Sequence, residues 1–349
     1  MMGLNEAGST ARHFHRGNCI GIARRRDIMN NKIAIISTLL LAYQAFAVPL
    51  AVAFYSVVSR AQITNYNMTI PDTLVALNAT GTPGGNSLST LLSLASARQG
   101  LVTGLSSQQP LTVFAPTNNA FKTFVDSNPG LDLNGDLVTQ TLAFHTTPNY
   151  AYHPDANMPF TLLPSGQPPL VSIILTNGTD TSIQYANMSY AKVIETLSCS
   201  NGVIHVIDNV LALPANISTT AQHISSLSQL VGALNAANLT VPVDVLPSTT
   251  VFAPLDSAFD AINATVKSLN TTQLSAVLTY HVVTSTAFST YLKDGDTLNT
   301  VNGQTLKVAL QNGKFVIVGA GSNATIVTGN VQTRNGVIHI IDTVLLPQL

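Results

Sequence analysis

The chain has 349 residues, 46% of them apolar and only 9% charged, with a formal net charge of -1. That balance leaves no basic surface of the kind a nucleic-acid binder needs to displace phosphate counterions, so that class is excluded. The polar surface must come from Thr, Ser and Asn, and the high apolar content with persistent periodicity excludes a disordered chain.

The first element is an address. Arg24, Arg25, Arg26 and Lys32 precede a run from Ile33 to Ser59 with no charge. A basic stretch, an apolar stretch (IAIISTLLLAY) and small residues at Ala45 and Ala47 form a secretory signal, with cleavage expected after Ala47 and a weaker option after Ala61. The competing reading is an uncleaved anchor, since about 20 apolar residues span a bilayer. Pro49 and the small-residue pair favour cleavage. Met29 precedes NNKIAIIS, which leaves residues 1–28 as a candidate over-extended start. Nine Asn-x-Ser/Thr sequons follow, at Asn67, Asn78, Asn177, Asn187, Asn216, Asn238, Asn263, Asn270 and Asn323, each a candidate for N-glycosylation. The sequence after Ile341 shows no lipid-anchor signal. Of the two cysteines, Cys19 precedes the signal, and Cys199 in an apolar run is expected to be a buried free thiol.

Beyond the leader, the chain repeats itself. TVFAPTNNAF (Thr112–Phe121) returns as TVFAPLDSAF (Thr250–Phe259), LAFHTT (Leu142–Thr147) as LTYHVV (Leu278–Val283), and NGVIHVIDNVLALP (Asn201–Pro214) as NGVIHIIDTVLLPQ (Asn335–Gln348). The offsets of 138, 136 and 134 residues keep the order of the blocks. A period this long means two globular units and not a solenoid.

In each unit the elements read the same way. Leu88, Leu91, Leu92 and Ala95, matching Leu227, Leu230, Val231 and Leu234, have helical spacing, with Ser87 and Ser225 or Ser226 as N-caps. TVFA is a short strand that Pro116 or Pro254 stops. Asn118 and Asp256 can cap the next helix, whose Phe121 and Phe124, or Phe259 and Ile262, face the core. A third helix carries Val138, Thr141, Leu142 and His145, matching Leu274, Val277, Leu278 and His281. The rest reads as β structure, with Asn302-Gly303 and Asn312-Gly313 as hairpin signals and Asn201-Gly202 and Asn335-Gly336 turning into the closing strands. Helices followed by an antiparallel sheet predict an α+β fold. The expected division is a leader at 1–47, a linker at 48–69, domains at 70–215 and 222–349, and a linker at 216–221.

The TVFAP-x3-AF block, the Tyr-His block and the closing NGVIH strand together resemble the signatures of the fasciclin domain, present twice. The resemblance implies several helices on a β-sheet wedge or sandwich. It also implies a secreted or cell-surface protein, without catalysis, that adheres to cell-surface, matrix or wall components, whether protein or glycan. Phe144 stands where the second copy has Tyr280, and the stretch Pro148–Pro169 is found only in the first copy. If the adhesive activity uses the Tyr-His segment, the contact residues are Tyr280 and His281, then Phe144 and His145.

The histidines recur in pairs, His145 with His281 and His205 with His339. They fall on apolar stripes, which favours buried imidazoles bonded to backbone over ligands or catalysts. His205 and Asp208, three apart in a strand, point to opposite faces. No GxSxG elbow, HExxH, phosphate loop or paired-Cys motif occurs, so no catalytic residue, metal or cofactor is expected. The alternative function is binding of an apolar small molecule, a pigment or lipid, in a groove lined by Tyr150, Tyr152, Met158, Phe160, Leu162 and Leu163.

Overall fold

The structure, a computed structural model, describes residues 63–348. The leader, with Cys19, the basic run, Ala45, Ala47 and the linker up to residue 62, lies outside them.

The first repeat opens with β1 (Ile63–Asn65) and helices α1 (Ile70–Thr80), α2 (Ser89–Ser96) and α3 (Gln99–Leu105). Strand β2 (Leu111–Pro116), helices α4 (Asn118–Asp126) and α5 (Asp136–Phe144) and strand β3 (Thr146–Pro148) follow. Strands β4 (Phe160–Pro164), β5 (Val171–Asn177), β6 (Asp180–Tyr185), β7 (Ser189–Cys199) and β8 (Gly202–Ile207) complete it. In the second repeat come α6 (Ile217–Gln222), α7 (Ser228–Ala236), α8 (Thr240–Val245), β9 (Thr249–Pro254), α9 (Asp256–Ala261), α10 (Asn263–Ser268) and α11 (Thr271–Tyr280). Its sheet adds β10 (Val282–Val283), β11 (Thr297–Asn299), β12 (Thr305–Gln311), β13 (Lys314–Val318), β14 (Asn323–Thr333) and β15 (Gly336–Ile341).

The sheets have the same order, β3-β2-β8-β7-β6-β5-β4 and β10-β9-β15-β14-β13-β12-β11. They are not purely antiparallel as expected: β2 runs parallel to β8, and β9 to β15. Each TVFAP strand meets its NGVIH strand only after helices (two in the first repeat, three in the second) and a meander have intervened, a crossover long enough to return the chain in the same direction. Both sheets curl until their end strands meet. Gly166 N–H donates to the Thr146 carbonyl at 2.7 Å, and Thr284 N–H to that of Asn299 at 3.2 Å. Closure of this kind removes exposed edges that would otherwise invite strand addition.

Each repeat has two apolar layers. Helices pack on one sheet face around Leu74, Leu91, Phe121 and Leu142, or Leu230, Phe259, Val277 and Leu278. The other face encloses Phe114, Phe144, Ile174 and Ile207, or Phe252, Tyr280, Ile317 and Ile341. Residues 216–221 are not an open connector. Helix α6 buries Ile217 and Ala221 in the second core and takes the place that α1, with buried Ile70, takes in the first. Likewise β1 pairs with Thr196–Ser198 of β7, so the segment from residue 63 belongs to the first sheet.

The helix caps also differ from expectation. Ser87, Ser225 and Ser226 are not N-caps; the cap positions of α2 and α7 are Leu88 and Leu227, which offer no side-chain acceptor. Asn118 and Asp256 reach back from α4 and α9 instead, each two helices further on. Asn118 Oδ1 accepts from Thr90 N–H at 2.9 Å and Asp256 Oδ1 from Gln229 N–H at 2.8 Å. Helix α4 is capped by Thr117, which accepts from Ala120 N–H at 3.1 Å.

The repeats pack against each other within one compact unit. Ile173 of β5, Phe288 and Val337 of β15 form a buried apolar cluster, flanked by Phe160, Leu162 and Val171. Beside it Gln184 Nε2 donates to the Asn330 carbonyl at 3.1 Å. By the repeat offset of 134, Asn330 corresponds to Thr196. The strand edge that β1 covers in the first sheet is therefore the edge that the first repeat touches in the second. An apolar, hydrogen-bonded contact restricts the domain motion that is otherwise the default.

Candidate functional site

The three repeated blocks converge at one place in each domain, where the closing strand, β8 or β15, meets the helices. Gly202 starts β8 with φ +154°, and a Cβ there would collide with the Leu111 carbonyl; at Gly336 it would collide with that of Thr249. Only glycine lets the parallel partner approach so closely. The preceding Asn is a clamp. Asn201 Oδ1 accepts from Ile70 N–H at 2.8 Å, while its Nδ2 donates to the carbonyls of Leu105 and Ser107, each at 3.0 Å. Asn335 repeats this with Ile217 N–H at 3.2 Å and the carbonyls of Val243 and Leu246 at 2.9 and 3.0 Å. From sequence alone, Asn201 and Asn335 read only as turn residues. The missed signal was their recurrence as an exact Asn-Gly pair, which a turn alone does not require.

The four histidines are 0–2% exposed. His145 and His281 end α5 and α11. His145 Nδ1 donates to the Thr141 carbonyl at 2.7 Å and Nε2 accepts from Leu211 N–H at 2.9 Å. His281 does the same with the Val277 carbonyl at 2.8 Å and Leu345 N–H at 2.9 Å. One ring nitrogen faces an acceptor and the other a donor, so the neutral Nδ1–H tautomer satisfies both. His339 takes the opposite tautomer, donating from Nε2 to the Ala287 carbonyl at 2.7 Å and accepting on Nδ1 from Asn330 N–H at 3.3 Å. His205 donates to the Tyr152 carbonyl at 3.0 Å and bonds the Thr196 hydroxyl at 2.9 Å. Burial lowers all four to a pKa of about 4, opposed only by the bond to a carbonyl. They are neutral struts. Asp208 and Asp342, their sequence neighbours, lie at the exposed ends and accept from Lys192 and Thr325 N–H.

The expected adhesion segment is therefore corrected. Tyr280 and Phe144 are fully buried, and His281 and His145 are buried beside them. None of the four side chains is available to a partner in the folded domain. Tyr280 uses its hydroxyl inside the second domain, donating to the Thr305 carbonyl at 3.2 Å and accepting from Ala320 N–H at 2.9 Å. The six insertion residues likewise form no common groove. Leu163 and Tyr152 pack in the first core, Phe160 and Leu162 face the second domain, and Met158 and Tyr150 are exposed. Cys199 is half-buried, bonded to the Thr73 hydroxyl at 3.4 Å, and burial pushes its thiol pKa up.

Among the described residues no three His, Cys, Asp or Glu side chains cluster as metal ligands, and no helix is long and apolar enough to cross a membrane. Eight sequon asparagines are exposed, and Asn216 is half-buried at the start of α6. An apolar groove of about 450 Å³ opens in the first domain between Leu101, Gly104, Leu105 and Ala143, with Arg98 at its rim.

The fold thus defines a class: paired domains of helices on a curled sheet, stitched by an Asn-Gly-x-x-His strand that serves folding. The fasciclin-domain model matches residues 86–214 and 225–347, and the chain belongs to that family. It is 28% identical over 260 residues to a fasciclin-like arabinogalactan protein of Arthroderma benhamiae, a match covering 70% of this chain and 60% of that protein. It is 35% identical over 139 residues to the cell surface glycolipoprotein MPB83 of Mycobacterium bovis, covering 38% and 60%. Of solved structures, it is similar to a FAS1 domain pair from the insect cell adhesion molecule fasciclin I, with a TM-score of 0.39, 19% identity, and 75% and 98% of the chains covered.

Proposed function

We propose that this is an exported, N-glycosylated, non-catalytic protein that acts in adhesion or in organising a cell surface, matrix or wall, through two fasciclin domains presented as one body. The observation that carries this reading is that both domains spend their recurring chemically capable residues on internal struts, so what remains for function is surface. The family and a relative described as a cell surface protein support the setting, as does the leader sequence. Two linked surfaces would gain avidity from effective concentration. The test is attachment: surfaces coated with the purified full chain should retain cells or wall fragments, and heat-unfolded chain should not. Equal retention by folded and unfolded chain would overturn it.

A second reading, an extracellular carrier of an apolar molecule, is favoured by the groove beside Arg98 alone. Native extraction with a bound lipid or chromophore would support it; a ligand-free protein that still adheres would leave the first reading standing.

A further inference from the structure

The outer face of the β5–β6–β7 sheet is covered by the second domain at one end only. On paired positions Ile173, Gln184 and Tyr190 form one row, and Leu175, Ser182 and Lys192 the next. Ile173 and Gln184 make the contact with Phe288 and Asn330. Beyond them the face is open: a groove of about 390 Å³ lies between Pro159, Leu175, Tyr190, Lys192 and Asn177. Tyr190 is 49% exposed there, an aromatic ring half open to solvent. Asn177 lies at the far end, where β5 turns through Gly178 (φ +62°) into β6. It is exposed, and Asn177-Gly178-Thr179 is a sequon in a tight turn that presents the Asn amide and the Thr hydroxyl to solvent.

We infer that Asn177 carries an N-linked glycan whose first sugars lie in this groove against Tyr190. The covering group need not be captured from solution, because its point of attachment lines the groove. Asn177 and Tyr190 are four residues along β5 and two strands apart, roughly 16 Å between their backbones, which the Asn side chain and two sugar rings span. Sugar rings have an apolar C–H face for the Tyr190 ring and Leu175, and hydroxyls for Asp180, Lys192 and Asp208 at the groove's polar edge. In the forming step the Asn177 amide nitrogen attacks C1 of the first sugar of a lipid-pyrophosphate-linked oligosaccharide. The C1–O bond breaks, the lipid pyrophosphate leaves with the electron pair, and the amide proton passes to the transferase. The inference rests on export of the chain, since that donor is met only on the secretory route.

The experiment uses the full chain made in a secretory host. Glycopeptide mass spectrometry should find Asn177 occupied. Nitration by tetranitromethane should be several-fold slower at Tyr190 than in Thr179→Ala protein, with exposed Tyr291 as the internal control. Occupancy at other sequons but not at Asn177 overturns the inference and leaves export intact. Occupancy at Asn177 with equal nitration of Tyr190 overturns the seating of the sugars. No occupancy at any sequon overturns the inference, whereas the export reading is overturned separately if the chain, made with its own leader, stays inside the host.

Discussion

At the scale of single residues, the four histidines set the most testable energetics. His281 holds the end of α11 to the C-terminal segment by accepting from Leu345 N–H. Replacing it by Ala leaves that donor and the Val277 carbonyl unpaired in a cavity, at an expected cost of about 3–5 kcal/mol. Gln, with one donor and one acceptor, should recover part of it. Urea unfolding followed by circular dichroism checks both; a His281→Ala variant as stable as the parent removes the strut reading. The histidines also fix the acid limit. Their folded pKa of about 4 lies below the ordinary 6.5, so the unfolded chain binds more protons between those values. The stability contribution is complete above pH 6.5 and is lost as pH falls from 6.5 to 4, by about 2 kcal/mol per histidine at pH 5. Melting temperature should fall through that window, less steeply in His281→Gln. For His145, His281 and His339 the added proton meets a backbone N–H that cannot turn away, whereas the Thr196 hydroxyl beside His205 can rotate.

At the scale of elements, the long-range caps matter more than local propensity. Helices α2 and α7 are eight and nine residues long, too short to persist alone. Their first turns are satisfied by Asn118 of α4 and Asp256 of α9, each two helices further on. Asp256→Ala should cost about 1 kcal/mol and raise amide exchange in the first turn of α7, a pattern that hydrogen exchange resolves. Raised exchange confined to α9 would instead favour the local capping that the sequence suggests. Periodicity made the apolar faces of these helices legible because side-chain spacing is a local property. Which side chain caps them was not, because Asn118 lies 28 residues from Thr90 and capping from afar leaves no local pattern. The short helices α3, α6 and α8 were missed for a related reason: each buries only one to four residues, too few to make a stripe.

At the scale of the whole molecule, the two domains share a small apolar core. Phe288 is 5% exposed in it, although it follows the second repeat's last helix in a segment without regular structure. Phe288→Ala should remove about 3 kcal/mol of coupling and split a single calorimetric transition into two. A single unsplit transition in the variant would show that the domains unfold together for another reason.

The sequence by itself determined the duplication, the family, the order of the three repeated blocks in each copy and the inward-facing histidines. These follow from local spacing and from blocks that recur in order. Only the tertiary structure decided that the TVFAP and NGVIH strands run parallel, that Asn201 and Asn335 clamp helices, and that Tyr280 and His281 are interior rather than contact residues. It alone also placed Phe160, Leu162 and Ile173 against the second domain. Each of these depends on which distant surfaces meet, and a pattern of apolar and polar residues says that a face is buried without saying what buries it.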